Sequence, residues 1–375
     1  MRSIQMVDLK SQYVAIKAEI DQAIQGVIDA TAFINGPQVK EFSNSLAAYT
    51  GAKYVITCGN GTDALQIAMM GLDFQPGQEV IVPAFTYVAT AEVIALLGLK
   101  PVFIDVIADT YELDITQLES KITSKTAGVV PVHLYGQCSN MEAILAVAKK
   151  HNIKVIEDTA QAIGAKYTFS DGRVMQAGTM GDVGTTSFFP SKNLGCYGDG
   201  GAMFTNNAEL AEKLHMIANH GQKKKYNHHI VGVNSRLDTL QASILNVKLQ
   251  HLDRYSASRN QVADKYDAAF AGHANIKIPV RAHNSTHAFH QYTVQIEGVS
   301  RDELKAYLAE KGVPSMVYYP LSLHQQVAYM DLGFKNGDFP VSESLCLKVL
   351  SLPIHTEMKA EDQDYIIETI KGFFE

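Results

Sequence analysis

Thr186-Ser187-Phe188-Phe189-Pro190-Ser191-Lys192-Asn193-Leu194-Gly195, continuing into Cys196-Tyr197-Gly198-Asp199-Gly200-Gly201, decides the reading of this chain. An apolar run leaves a β-like segment, Pro190 stops it, and one lysine enters a loop that then carries four glycines. Lysine ordinarily lies along a surface with its amine in water, and a lysine that simply emerges at a strand end would look the same in isolation. One held between a buried-looking Phe-Phe pair and a glycine-rich turn has its amine aimed at something. Crowding by apolar groups or by a second cation makes such an amine lose its proton more readily, and so become a nucleophile or base.

About thirty residues upstream, Val155-Ile156-Glu157-Asp158-Thr159-Ala160-Gln161 reads as a short apolar strand ending in a carboxylate. An aspartate at a strand end can pair with a pyridinium nitrogen, and a pyridoxal cofactor requires both that partner and a lysine for covalent attachment. Asp158 and Lys192 together point to that chemistry.

A chain of 375 residues is long enough for two domains, and 46% hydrophobic with 19% charged residues is ordinary globular composition. A net charge of −7 argues against a general nucleic-acid binder, which concentrates basic residues on one face. The one basic cluster, Lys223-Lys224-Lys225, suits a solvated loop or a diphosphate contact. Cys58, Cys138, Cys196 and Cys346 are too widely spaced for a Cys-x-x-Cys metal site and are expected to be reduced, packed thiols. The N-terminal stretch reaches polar residues too soon for a secretion signal, and no later run approaches a membrane span. The expectation is a soluble, cytoplasmic protein without a metal site.

Apolar residues at helical spacing predict one amphipathic helix from Leu9 to Ile28, and a second from Pro37 to about Tyr49, ended by Gly51. Strands are predicted at Tyr54–Cys58, Glu79–Val82, Pro101–Ile104, Ala127–Val132, Lys154–Ile156, Thr185–Phe189 and Ala202–Thr205, most separated by helical patterns. That alternation predicts a mostly parallel sheet covered on both faces, with ligands beyond the carboxyl ends of its strands. A helix over Glu209–Ala218 is followed by one extended helix from Leu237 to Leu252. Beyond Ile276, strands at Ala288–Ile296 and Met316–Tyr319 and helices at Asp302–Lys311, Ser342–Val349 and Asp362–Phe373 suggest a smaller α+β domain.

Five further motifs can carry chemistry. In Cys58-Gly59-Asn60-Gly61-Thr62-Asp63, a strand runs through two glycines into a helix start, which suits a phosphate or, equally, an ordinary turn capped by Asp63. Tyr87, in Phe85-Thr86-Tyr87-Val88-Ala89-Thr90, stands where an aromatic face can stack on a planar ring or join the core. His133 ends another strand and is read as scaffold. Asn234 and Arg236, in Gly232-Val233-Asn234-Ser235-Arg236, fit a phosphate and an anionic group at a helix opening, or plain capping. Val317-Tyr318-Tyr319-Pro320-Leu321-Ser322-Leu323-His324 can close over a substrate or be a strand end.

The order and content of these motifs resemble the DegT/StrS-type nucleotide-sugar aminotransferases, a branch of the fold-type-I, aspartate-aminotransferase-like pyridoxal phosphate enzymes. The resemblance runs from Met6-Val7-Asp8-Leu9 and Asn35-Gly36-Pro37 to Tyr318-Tyr319-Pro320. It is most specific at Glu157-Asp158-Thr159-Ala160-Gln161, Ser187-Phe188-Phe189-Pro190-Ser191-Lys192 and Gly232-Val233-Asn234-Ser235-Arg236. It implies an α/β fold, with a large, mostly parallel sheet domain over residues 1–250 that binds pyridoxal 5'-phosphate and a small C-terminal α+β domain over 251–375. It further implies that Lys192 bonds to the cofactor, Asp158 pairs with its ring nitrogen, Gln161 lies against the ring or near its phenolic oxygen, and Tyr87 stacks on it. Gly61, Thr62 and Ser187 would hold the phosphate. Asn234 would come from a partner subunit, making the enzyme a homodimer with shared sites, and Arg236, Tyr318 and His324 would face the substrate.

Related sugar-dehydrating enzymes carry histidine at the lysine position, so Lys192 favours transamination. The resemblance implies L-glutamate as donor, pyridoxamine phosphate as the intermediate form, and a keto nucleotide sugar as acceptor. The segment around Asn234 looks most like enzymes that aminate C3 of UDP-linked 2-acetamido-3-keto sugars or sugar acids for surface polysaccharide. A dTDP-linked 3-keto-6-deoxy sugar comes second and C4 amination third, with a non-catalytic sugar-nucleotide-binding regulator as the alternative of another class. Some sugar-acid members carry histidine where this chain has Tyr318, a departure that bears on the uronate reading. A nicotinamide dehydrogenase is disfavoured, because the glycines after Lys192 do not follow a strand and open a helix with Gly-x-Gly-x-x-Gly spacing.

Overall fold

Short Val- and Ile-rich segments alternating with helical patterns assemble, in the computed structural model, into a seven-stranded sheet clothed by helices. Residues 4–375 are described; residues 1–3, the start of the N-terminal stretch discussed above, lie outside them.

The chain opens with α1 (Leu9–Ala15) and α2 (Lys17–Ala30) rather than one helix. Ile16 leaves helical geometry at φ −124° and packs with Ile20 and Ile244. Helix α3 (Pro37–Thr50) starts on its proline and stops at Gly51, whose φ of 78° only glycine adopts freely. There follow β1 (Tyr54–Cys58), α4 (Gly61–Gly71), β2 (Glu79–Pro83), α5 (Ala89–Leu96), β3 (Lys100–Ile104), α6 (Ile115–Lys121) and β4 (Thr126–Val129). The predicted strand through Val132 ends early at β4: Pro131 has no N–H for the ladder, and Val132 re-pairs alone with Asp158. Next come α7 (Met141–His151), β5 (Lys154–Asp158), the hairpin β6 (Lys166–Thr168) and β7 (Val174–Gln176), then β8 (Val183–Ser187), β9 (Gly201–Thr205) and α8 (Ala208–Ala218). Strand β8 starts and ends two residues before the prediction, so Phe188 and Phe189 belong to the loop that leaves it.

The Lys223–Lys225 cluster lies on an exposed hairpin of β10 (Gln222–Lys224) and β11 (Asn227–His228). The predicted helix from Leu237 starts later and is two helices, α9 (Thr239–Gln250) and α10 (Leu252–Phe270), with the joint at His251. The remainder is β12 (Ile276–Lys277), β13 (Tyr292–Ile296), α11 (Arg301–Glu310), α12 (Pro340–Lys348), β14 (Val349–Leu352) and α13 (Ala360–Phe374). Met316–Tyr319 is not a strand: Met316 bridges Ser351, and the next residues turn away.

The large sheet runs β1-β9-β8-β5-β4-β2-β3, with parallel pairing from β8 through β3 and antiparallel β9 between β8 and β1. Apolar cores cover both its faces, one around Leu65, Ile67 and Phe103 and the other around Ile81, Val129 and Ile144. A three-stranded antiparallel sheet, β12-β13-β14, has its own core around Tyr266, Phe289, Val294, Leu350 and Ile366, which Ile4 joins. Buried Asp105, just past β3, caps α12 by accepting from the Val341 and Ser342 amides at 3.0 and 2.8 Å, and so fastens the two regions. All four cysteines are free and buried, and no helix among the described residues is long and apolar enough to cross a membrane.

Candidate active site

Strands β5 and β8 are neighbours, and beyond their carboxyl ends lies a cavity of about 500 Å³ lined by Asp158, Ser187 and Lys192. Asp158 is 7% exposed. Its N–H donates to Pro131 and its carbonyl accepts from His133, each at 3.0 Å. Its Oδ1 accepts from the Ala160 amide at 3.1 Å and its Oδ2 from the Thr90 hydroxyl at 2.8 Å.

The alternation of a strand sends the preceding residue the other way. Fully buried Glu157 accepts from the amides of Gly178, Met180 and Gly181 at 2.6–2.9 Å and meets His133 Nε2 at 3.0 Å. Since the Ser139 amide donates to His133 Nδ1, the ring proton sits on Nε2 and points at Glu157. His133 is scaffold, and its carboxylate neighbour, too distant in sequence to be read as a partner, comes from the adjacent strand.

The Lys192 loop is pinned on both sides. The Lys192 N–H donates to the Phe189 carbonyl at 2.8 Å, and Asn193 Nδ2 donates to the Ala288 carbonyl at 2.7 Å. The Phe-Phe pair is split: Phe188 is fully buried edge-on to Phe42, while Phe189 is half exposed at the cavity. Burial lowers the Lys192 pKa to about 8, against the opposing pull of the Asp158 charge.

At the other end of the cavity is the N-terminus of α4. Its cap is Asn60, which accepts from the Asp63 amide at 2.8 Å, and not Asp63, which instead accepts from the Ser235 hydroxyl at 2.6 Å. A Cβ on Gly61 would come within 2.7 Å of Ser187 Cβ, so only glycine lets the helix end approach β8 this closely. Gly61, Thr62 and Ser187 thereby meet around the positive end of a helix, an arrangement able to accept an anion such as a phosphate.

Tyr87 is 56% exposed and forms a wall, its ring 6.1 Å from that of Tyr319. Gln161 is held by its carbonyl, which accepts from the Tyr135 amide at 2.8 Å, and its Nε2 donates to Tyr319 Oη at 3.1 Å. Tyr318 also lines the cavity, and its carbonyl accepts from the Tyr135 hydroxyl. Buried His290 lies nearby, its pKa pushed well below the ordinary value by burial, Lys192 and Arg259. Of these, Thr90, Tyr135 and His290 were not legible as site residues, while Tyr319 was read with Tyr318 as able to close over a substrate. Thr90 had one signal: it lies three positions after Tyr87 in the same quoted stretch.

Three predicted residues do not reach this cavity within one chain. Asn234 is exposed and its backbone pairs with Asn219. Arg236 lines a different groove, of about 520 Å³, with Lys40 and His215 and no carboxylate in its lining. His324 is buried in packing, with Nδ1 at 2.9 Å from Ser322 Oγ, Nε2 at 3.0 Å from Glu343 and its ring against Phe339.

A buried carboxylate, an amine of depressed pKa, an aromatic wall and an open helix N-terminus around one cavity match what pyridoxal 5'-phosphate asks of its host. Residues 14–371 match the DegT/DnrJ/EryC1/StrS aminotransferase family. The chain is 46% identical over 374 residues to a pleiotropic regulatory protein of Geobacillus stearothermophilus, covering 99% of each. It is 47% identical over 352 residues to the UDP-2-acetamido-2-deoxy-3-oxo-D-glucuronate aminotransferase of Pseudomonas aeruginosa, covering 94% of this chain and 95% of that one. Among solved structures, a DegT DnrJ EryC1 StrS aminotransferase from Brucella abortus superposes with a TM-score of 0.93 at 41% identity and 99% coverage of both chains. The PLP form of a sugar aminotransferase from Streptococcus pneumoniae superposes at 0.88, with 29% identity and 95% coverage of both. Sequence, fold and site geometry agree: the chain belongs to the DegT/DnrJ/EryC1/StrS aminotransferase family.

Proposed function

We propose that this enzyme moves an amino group from L-glutamate to C3 of a UDP-linked 2-acetamido-3-keto sugar or sugar acid, for surface polysaccharide such as the O-antigen of lipopolysaccharide. It would act in the cytoplasm as a homodimer with shared active sites. Membership of the family supplies the amino donor and keto acceptor in general terms, and the Pseudomonas relative supports the UDP-linked 3-oxo acceptor. The observation that carries the reading is the meeting of Asp158, at the end of β5, and Lys192, in the loop that leaves the adjacent β8, over one cavity.

The cofactor is pyridoxal 5'-phosphate, which when bound provides an electron sink for the carbanion left as a proton leaves the substrate carbon. Gly61, Thr62 and Ser187 would hold its phosphate, Tyr87 would cover its ring, and Gln161 would border it. Asp158, fixed at both oxygens, would keep a proton on the ring nitrogen. Lys192 would be the residue that bonds to the cofactor, and its amine would stand ready at the cavity as the base. That amine, with a pKa near 8, can accept and return a proton at Nζ close to neutral pH. The donor half and the sugar half would use the same groups in opposite order, giving ping-pong kinetics.

Residues 1–250 would form the cofactor-binding domain, and residues 251–375 would bring Tyr318 and Tyr319 to the opposite wall. Apart from Lys192, the lining includes no lysine or arginine to meet a diphosphate or a sugar carboxylate. A second copy's Asn234 and Arg236 would complete it. A dTDP-linked 3-keto-6-deoxy sugar is the second choice of acceptor, and C4 amination the third.

The name of the Geobacillus relative favours one further reading, a regulator that keeps the scaffold without turnover. The visible spectrum with pyridoxal phosphate, before and after L-glutamate, separates the two. A band that bleaches with glutamate and returns with a UDP-linked 3-keto sugar supports the enzyme. A band that neither donor nor sugar changes supports the regulator.

A further inference from the structure

Threonine inside a helix usually turns its hydroxyl back onto the carbonyl three or four residues earlier. Thr50 and Thr369 do this, donating to Leu46 and Tyr365 in their own helices. Thr90, in the first turn of α5, does not: its Oγ1 reaches out of the helix to Asp158 Oδ2 at 2.8 Å. An ionised carboxylate only accepts, so Thr90 is the donor.

The backbone of Asp158 is already fixed at both its N–H and its carbonyl. What these bonds do not fix is the side chain, whose last torsion is intrinsically broad. Ala160 restrains one oxygen and Thr90 the other. Thr90 is fully buried and Asp158 nearly so, which leaves little access for water to stand in for the hydroxyl. Each carboxylate oxygen has one protein donor and retains room for another N–H. The helix that carries Thr90 begins at Ala89, two residues after Tyr87, so the aromatic wall and the Asp158 donor lie on one short stretch of chain.

We infer that Thr90 is a positioning residue, whose hydroxyl holds the Asp158 carboxylate in the orientation that the cofactor's ring nitrogen requires. This rests on the reading of the site given above. Thr90→Val keeps the shape and removes the donor, while Thr90→Ser keeps the donor and removes the methyl. The dissociation constant of pyridoxal phosphate and the visible circular dichroism of the bound cofactor are the readouts, with melting of the apoprotein as a check on folding. Thr90→Val should weaken binding about tenfold, the effect of losing one charge-assisted hydrogen bond, and reduce the visible dichroism. Thr90→Ser should stay within about twofold of the wild type on the same scale. If Thr90→Val does not fold, the Ser and Ala variants, which differ only in the hydroxyl, give the same comparison.

Val equal to wild type, Ser as weak as Val, or Ser equal to Ala overturns the inference. Wild-type protein that binds no pyridoxal phosphate instead refutes the function on which it rests.

Discussion

Gln161 Nε2 donates to Tyr319 Oη at 3.1 Å, joining the end of β5 to the segment that follows α11. The direction of this bond is fixed, because the amide's other end accepts from the Tyr135 backbone. Tyr319→Phe would leave the Gln161 amide without its acceptor. We expect kcat/KM to fall about tenfold, in line with one buried hydrogen bond, with the melting temperature little changed. Steady-state kinetics beside a thermal melt check this, and an unchanged kcat/KM would count against a role for the pair.

Lys192 is expected to be indispensable. Lys192→Ala should retain the native circular dichroism and lose transamination, and residual turnover would refute its role. In the apoprotein, capture of pyridoxal phosphate should accelerate as pH rises through about 8, where the amine becomes neutral.

The same depressed pKa makes a stability prediction. The unfolded chain binds the lysine proton up to the ordinary 10.5 and the folded apoprotein only up to about 8, so the unfolded state holds more protons between those values. Stability of the apoprotein should therefore rise with pH across that window. Lys248, also buried and lowered to about 8, contributes with the same sign. Lys192→Met should flatten the rise without abolishing it, as read from urea midpoints across the window.

The distance of Asn234 from the Lys192 cavity leads to a mixing experiment. Lys192→Ala and Asn234→Ala proteins, each inactive or weakened alone, should regain activity when unfolded and refolded together, because in the proposed dimer a mixed pair would contain one site with both native residues. Mixtures no better than the sum of their parts would mean that the site is not shared.

Glu157 should prove structural. Glu157→Ala strips three backbone amides and His133 of their acceptor in a dry interior, a loss on the order of 3 kcal/mol or more. Urea unfolding measures it, and a loss below about 1 kcal/mol would show that water replaces the carboxylate.

The sheet was readable because most of its strands are short runs closed by turn chemistry, as at β2 and β3; β8, which reads Val-Gly-Thr-Thr-Ser, is the exception, and its prediction slipped towards the phenylalanines. Helix continuity was less so: Ile16 and His251 sit inside unbroken apolar periodicities, and only the packing of their neighbours decides that the helix stops there. Lys192 and Asp158 stood out because a lysine beside phenylalanines and a carboxylate at a strand end are locally costly. Thr90 was hidden because its hydroxyl looks like any helical threonine until the strand 68 positions away supplies the acceptor. His324 misled for the converse reason. Its partner Glu343 lies 19 residues on, so the histidine seemed free when it was already committed to packing.

Among the described residues no carboxylate forms an ion pair with Arg259; its guanidinium is buried. One of its terminal nitrogens donates to the carbonyls of Phe289, His290 and Ile354 at 3.1–3.3 Å, behind the cavity wall that His290 forms. Carbonyl oxygens accept hydrogen bonds whatever the acidity of the solvent, and burial lowers the guanidinium pKa only to about 10. The brace therefore keeps its full grip across the range in which Lys192 changes charge. The working amine can be switched by protons while the wall behind it is blind to them.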